Sequence, residues 1–363
     1  MLRETLKQSS YMLYGFVLTS VINVTIGVYL ARLLGPEVFA IYIFMSVVKD
    51  FSTLLFAINL KLPIVKMNRK YIYRHLFYLR YVGLAISFGL LILGIIAVSI
   101  FHDTKQFDSG LFLFLIVVQI VSLYSAINIG RLEIENRYKE FSFTNIKVVT
   151  LVSLLVIAAS VVLQNVYLLM LKDLMYAFFL LMFTRRRESE NIYRFQWRYF
   201  WIYFWLSYKM WKIKIIEVVN DKIDKGMIGI FQPNAFLASY HQSRYYSEIP
   251  QTMLNPITPL FYEKLNNKAF TSNLVDRSAH IIMLALFGIG LLYGGFLWLY
   301  GSELISFILG PKWIEASHII IYFAPYITIL PLSSFIKILS FKYNFTGKVF
   351  YFEIFDIKVC EQS

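Results

Sequence analysis

The chain has 363 residues, 58% of them hydrophobic and only 16% charged, a balance that excludes an ordinary soluble domain of this size. The formal net charge of +13 does not indicate nucleic acid, because the lysines and arginines fall in short connections beside apolar runs. A single cysteine, Cys360, excludes disulfides within the chain and cysteine-based metal sites.

From the N-terminus, Tyr11 to Ala31 carries no charge and is long enough to cross the hydrocarbon core as a helix. No small-residue cleavage pattern follows it, so it is expected to stay as a span rather than leave as a signal peptide. About ten spans are predicted, at residues 11–33, 38–60, 81–101, 110–130, 143–163, 166–183, 206–230, 235–258, 279–300 and 314–336. Backbone polar groups in lipid must be satisfied internally, and these runs are too continuous for barrel strands, so the expected fold is all-α and polytopic. Basic residues crowd the second-to-third connection (Lys61, Lys66, Arg69, Lys70, Arg74, Arg80), the fourth-to-fifth (Arg131, Arg137, Lys139) and the sixth-to-seventh (Arg185, Arg186, Arg187, Arg194, Arg198). By the positive-inside rule these lie in the cytoplasm, and the N-terminus with them. The aromatic, basic stretch FQWRYFWIYFW at 195–205 reads as a cytoplasmic interfacial connector between two halves.

The second span holds Lys49 and Asp50 side by side at its centre, with no other charge between Val38 and Leu60. Neighbours on a helix are about 100° apart and do not pair well, so each needs a partner elsewhere. Lys172 and Asp173 repeat the pattern in the sixth span, nearer its outer end. Charges inside the bilayer mark a substrate or ion pathway by default; the alternative is an ion pair between neighbouring helices that fixes their packing.

Gly35 to Tyr42 (GPEVFAIY) and Gln232 to Tyr240 (QPNAFLASY) share Pro-x-x-Phe followed by Ala-x-Tyr, with one residue inserted in the second. Pro36 and Pro233 are 197 positions apart, about the length of six spans with their connections, which predicts two pseudo-symmetric lobes. The repeat makes Glu248 the counterpart of Asp50, because Tyr42 to Asp50 and Tyr240 to Glu248 span the same interval, with Arg244 one turn before Glu248 as its structural partner or as a cargo contact. It also sets the seventh span across Lys214, Glu217, Asp221 and Asp224, whose three-four-three spacing places them on one helical face lining water or a polar surface. The competing reading is that Asp221 to Lys225 forms a short external loop.

With ARLLGPEVFAIY (31–42) and DKGMIGIFQPNAFLASY (224–240), and with ILGPKW (308–313) before the tenth span, the chain resembles the Wzx-type polysaccharide flippases of the multidrug, oligosaccharidyl-lipid and polysaccharide exporter superfamily. The resemblance runs over roughly residues 1–340; Ala40 stands where the family more often has glycine. It implies two six-helix lobes around a cavity that opens alternately to either side. Here residues 1–184 would be the N-terminal lobe, 185–205 the connector, 206–340 a second lobe with helices seven to ten, and 341–363 an atypical tail where further spans are expected, so that the second lobe looks incomplete. The implied cargo is an undecaprenyl-diphosphate-linked oligosaccharide moved across the bacterial inner membrane for O-antigen or capsule assembly. Implied partners are that lipid-linked oligosaccharide, membrane lipid and other polysaccharide-assembly proteins. Lys49 would then attract the diphosphate or an acidic sugar, and Asp50 would accept sugar hydroxyls or bind a coupling proton or sodium ion.

The five histidines have no metal-ligand spacing, and no nucleotide-binding glycine loop or nucleophile motif appears, so no catalytic residue, metal or organic cofactor is expected. An O-antigen polymerase or membrane glycosyltransferase, and an exporter of small molecules or drugs, stand as the alternative functions. A non-transporting assembly scaffold is a third.

Overall fold

The computed structural model describes residues 2–53, 88–89, 91–92, 95–96, 109–134, 137–184, 215–216, 218–220, 222–254 and 272–342. Among these residues no strand occurs. In chain order the helices are α1 (Leu2–Thr53), α2 (Ser109–Ile134), α3 (Tyr138–Ser160), α4 (Val166–Thr184), α5 (Asn234–Ser247), α6 (Ile249–Leu254), α7 (Ser272–Leu309) and, after a 3₁₀ turn at Pro311–Trp313, α8 (Ile314–Lys342). Helical residues also occupy 215–216, 218–220 and 222–231, so the described part of the seventh predicted span is helix and not an external loop.

Among the described residues, five stretches are long and apolar enough to cross a membrane: Leu13–Asp50, Lys139–Ser160, Val166–Thr184, Met283–Leu309 and Pro311–Leu330. Their outward faces are apolar too. On α7, Leu284, Leu292, Trp298, Leu299 and Phe307 are all exposed, a surface suited to lipid. The protein is an all-α membrane protein.

The first predicted pair of spans is one element in which a single residue, Gly35, departs from helical geometry, at φ 75° and ψ 174°. That positive φ disfavours any residue with a Cβ, and Pro36 restarts the helix where its missing N–H costs nothing. The fourth, fifth and sixth predicted spans correspond to α2, α3 and α4. The turn before α4 is closed by Asn165, whose side-chain oxygen accepts the Tyr167 N–H at 3.1 Å. The ninth and tenth correspond to α7 and α8, both longer than expected. The third predicted span, the basic connections at 61–80 and 185–205, and the tail beyond 342 lie largely or wholly outside the described residues.

The eighth predicted span is interrupted. Glu248 leaves helical geometry between α5 and α6. The cause is Pro250, which has no N–H to give to the carbonyl of Tyr246 one turn earlier. The Tyr293 hydroxyl of α7 donates to that carbonyl instead, at 2.8 Å.

The chain forms two compact units, Met1–Ala40 with Pro233–Ser363, and Ile41–Gln232. In the second unit α4 packs on α2 and α3. Val148, Val149, Val152 and Val156 of α3 are buried at helical spacing, as are Leu111, Leu115 and Val118 of α2. In the first unit α7 and α8 form the closest pair, with α5 against α8. The buried stripe of α7 runs Leu286, Gly290, Gly294, Leu297, Gly301 and Ile305. Its small residues let the backbones approach, as in other membrane helix pairs.

A methyl added at Gly290 would sit 2.6 Å from the Thr328 carbonyl oxygen, and one at Gly294 would sit 2.7 Å from that of Ala324. Both obstacles are backbone and cannot rotate away. Gly290→Ala is therefore expected to destabilise by about 1–3 kcal/mol, as overpacking does. Gly288→Ala, which meets nothing within 4 Å, should be neutral or slightly stabilising in the same thermal unfolding measurement in detergent.

Candidate functional site

Within the second unit, the two central charges of α1 find their separate partners. Lys49 Nζ lies 3.0 Å from Asp173 Oδ2 on α4. Asp50 Oδ2 lies 2.8 Å from Lys222 Nζ in the helical segment 222–231. Each lysine of the two Lys-Asp dipeptides therefore has a different environment: Lys49 pairs with the aspartate of the other dipeptide, while Lys172 forms no ion pair with any described residue. Lys172 sits half-buried beside Asp173, within the electrostatic reach of both Asp173 and Lys49.

Asp173 is held from two sides, because the Tyr42 hydroxyl also donates to Oδ2, at 3.0 Å. Tyr42 and Lys49 are seven residues apart on α1, two turns, so one face of that helix presents both donors to one carboxylate oxygen. The pairs are half-buried: Lys49 and Asp173 side chains keep 20% and 24% of their surface, and Lys222 and Asp50 keep 24% and 32%. They are neither dry nor surface pairs. Beside them runs a narrow cleft lined by Tyr42, Met45, Ser46, Lys49, Leu115, Val118, Met170 and Asp173, with room for about one water molecule.

Next to two of those lining positions on α2, Gln119 is almost wholly buried, and neither its amide oxygen nor its amide nitrogen has a hydrogen-bond partner among the described residues. Sequence reading passed over this residue; an amide in the middle of the uncharged run of α2 was the available signal. Asp224 accepts the N–H of Lys225 at 2.7 Å, and the Lys225 side chain is buried. Lys214, Glu217 and Asp221 lie outside the described residues.

In the first unit, Arg244 Nε donates to Glu248 Oε1 at 2.6 Å, one turn apart, at the break between α5 and α6. Asp50 and Glu248 thus differ in setting: Asp50 lies within a helix and pairs with a lysine far along the chain, Glu248 caps a helix end and pairs locally. The buried face of α5 is polar, with Ser239, Gln242, Ser243, Arg244 and Ser247. The Ser243 hydroxyl lies 2.7 Å from the Ala316 carbonyl of α8 and 2.8 Å from that of Ser239. Among the described residues no group of three or more histidine, cysteine, aspartate or glutamate side chains is placed to hold a metal ion.

A family model described as "Polysaccharide biosynthesis protein" matches residues 29–318. No curated protein and no solved structure gives a significant match.

Proposed function

The chain belongs to the polysaccharide biosynthesis protein family, and from that premise we propose that it is a flippase for a lipid-linked oligosaccharide. The cargo would be a repeat unit on undecaprenyl diphosphate, carried across the inner membrane for O-antigen or capsule assembly. The N-terminus would face the cytoplasm, and other polysaccharide-assembly proteins would act on the product. In this reading residues 1–184 and 206–340 act as two lobes of the transporter.

The observation that carries the proposal is the cross-paired charge cluster of the second unit. A diphosphate and its sugars cannot enter hydrocarbon unaccompanied, since each unsatisfied polar group there costs several kcal/mol. Lys49, Asp50 and Asp173 supply charge inside candidate spanning segments, and with Lys222 they form ion pairs at 2.8–3.0 Å. Half-buried pairs of this kind exchange partners more readily than dry ones, because water already reaches both ends. The cargo phosphates would take the place of Asp173 on Lys49. Lys172, which pairs with no carboxylate among the described residues, would meet them first. Asp224, with Lys214, Glu217 and Asp221, would extend the polar path, and Arg244 with Glu248 would be a separate cargo contact of the first unit.

The test is deletion of the gene in the source bacterium and its restoration with this chain, reading surface polysaccharide and internal lipid-linked repeat together. Loss of surface repeats with internal accumulation, reversed by the chain, is the expected result. A mutant that displays a single repeat per lipid core would sink the proposal in favour of a polymerase. Within that assay Lys172→Ala is expected to lower export about tenfold, the loss of roughly 1.4 kcal/mol of charge contact, and Lys172→Arg to retain most of it.

A further inference from the structure

The first unit contains two Gly-Pro turns that resemble each other in sequence and in backbone. Leu33-Leu34-Gly35-Pro36 interrupts α1, and Ile308-Leu309-Gly310-Pro311 separates α7 from α8. The glycines have φ 75° and ψ 174°, and φ 86° and ψ −179°. Each turn ends a helix, and a helix end leaves its last carbonyls without intrahelical donors.

The two turns satisfy each other's carbonyls. Arg32, just before the first turn, donates from Nε to the Ile308 carbonyl at 2.7 Å and from a terminal nitrogen to that of Phe307. Trp313, just after the second turn, donates from Nε1 to the Ala31 carbonyl at 3.1 Å. The Trp313 ring meets Phe39 edge-on at 5.7 Å between centroids. The exchange is reciprocal: a side chain of each turn caps the helix that ends at the other. Arg32 also brings positive charge to the negative end of α7.

The clasp is built unevenly. Trp313, Leu30 and Ala31 have no exposed surface, whereas the Arg32 bonds are open to solvent. Water competes for the Arg32 half, and the buried half consists of one indole and its hydrogen bond. Gly35 also breaks the helical ladder of α1, and five residues after Pro36 the chain enters the other unit. Gly35 is thus the point of α1 at which a hinge would unwind the least helix, and Trp313 touches the chain on both sides of it, at Ala31 and at Phe39.

We infer that this Arg32–Trp313 clasp is a gate: it closes the end of the first helix onto the α7–α8 turn and opens when cargo passes. The inference rests on the transport reading. It is tested with a single-cysteine variant, Ala31→Cys with Cys360→Ser, in membrane sheets that expose both faces, labelled with a membrane-impermeant maleimide. Gln164→Cys, in the exposed α3–α4 turn, is the control.

In sheets from cells blocked in lipid-linked oligosaccharide synthesis, position 31 is expected to label at least about tenfold more slowly than position 164. In sheets from cells making the oligosaccharide, labelling at 31 should rise several-fold and labelling at 164 should not. Adding Arg32→Ala or Trp313→Phe should reproduce the fast labelling without cargo. Slow labelling at 31 under every condition, in cells that export normally, would overturn the gate, as would fast labelling that ignores both cargo and the clasp substitutions. If gene deletion leaves export untouched, the transport reading falls and the gate with it; if deletion abolishes export but labelling at 31 ignores cargo, the gate alone falls.

Discussion

Asp173→Asn is expected to reduce export by more than tenfold, and exchanging the pair, Lys49→Asp with Asp173→Lys, to restore folding without restoring export. The single change leaves the Lys49 ammonium facing a neutral amide in a half-buried site; losing a charged hydrogen-bond acceptor there costs about 2–3 kcal/mol. Tyr42 keeps an oxygen to donate to, so the site need not collapse. The exchange rebuilds the 3.0 Å contact with reversed polarity. A packing clip works equally well either way round, whereas a path for phosphate needs the positive group on the helix where cargo meets it. Export together with thermal stability in detergent separates the two. If the exchanged protein is both stable and active, Lys49 and Asp173 serve packing and the pathway role assigned to them is wrong.

Trp313→Ala should give the largest loss of stability of any substitution described here, about 3–5 kcal/mol, the range for removing a fully buried large aromatic side chain. Trp313 has no exposed surface and is the largest side chain so enclosed among the described residues. Truncation removes its ring contact with Phe39 and its hydrogen bond to the Ala31 carbonyl. Trp313→Phe keeps most of the packing and loses the hydrogen bond, so about 1–1.5 kcal/mol is expected. Unfolding of the purified protein in detergent, by heat or by SDS titration, should rank wild type, Phe and Ala in that order. An Ala variant as stable as the Phe variant would show that the ring contributes little.

Hydropathy was enough to place most of the described helices, because lipid demands long uninterrupted apolar runs and tolerates little else. It was also enough to say that Lys49 and Asp50 cannot serve each other. It could not name their partners. Asp173 is 124 residues from Lys49, and nothing local in either segment encodes which of several intramembrane charges will face which. Lys172 and Asp173 read as a second equivalent dipeptide, yet one faces Lys49 and the other stands apart, a distinction set by the rotation of α4 about its axis. The break at Glu248 was legible in Pro250, but the span predicted at 235–258 ran straight across it. The two Leu-Gly-Pro turns were visible as well. Attention to the Pro-x-x-Phe repeat paired Pro36 with Pro233, and the partner that docks on the first turn is the one containing Pro311.

The first unit is assembled from the two ends of the chain, with the second unit inserted between them. During synthesis this ordering becomes a delay. The Arg32 side chain and the Ile308 carbonyl it caps are separated by 276 residues, which at roughly 5–20 residues per second is on the order of 15–55 s of translation. Through that interval the first helix is already made, while the helices it will lean on do not yet exist. It must be sheltered by lipid, by the insertion machinery or by provisional neighbours, and it must then release them. A ribosome stalled before codon 313 should therefore leave a nascent chain whose first helix is still accessible to crosslinking by the insertion apparatus.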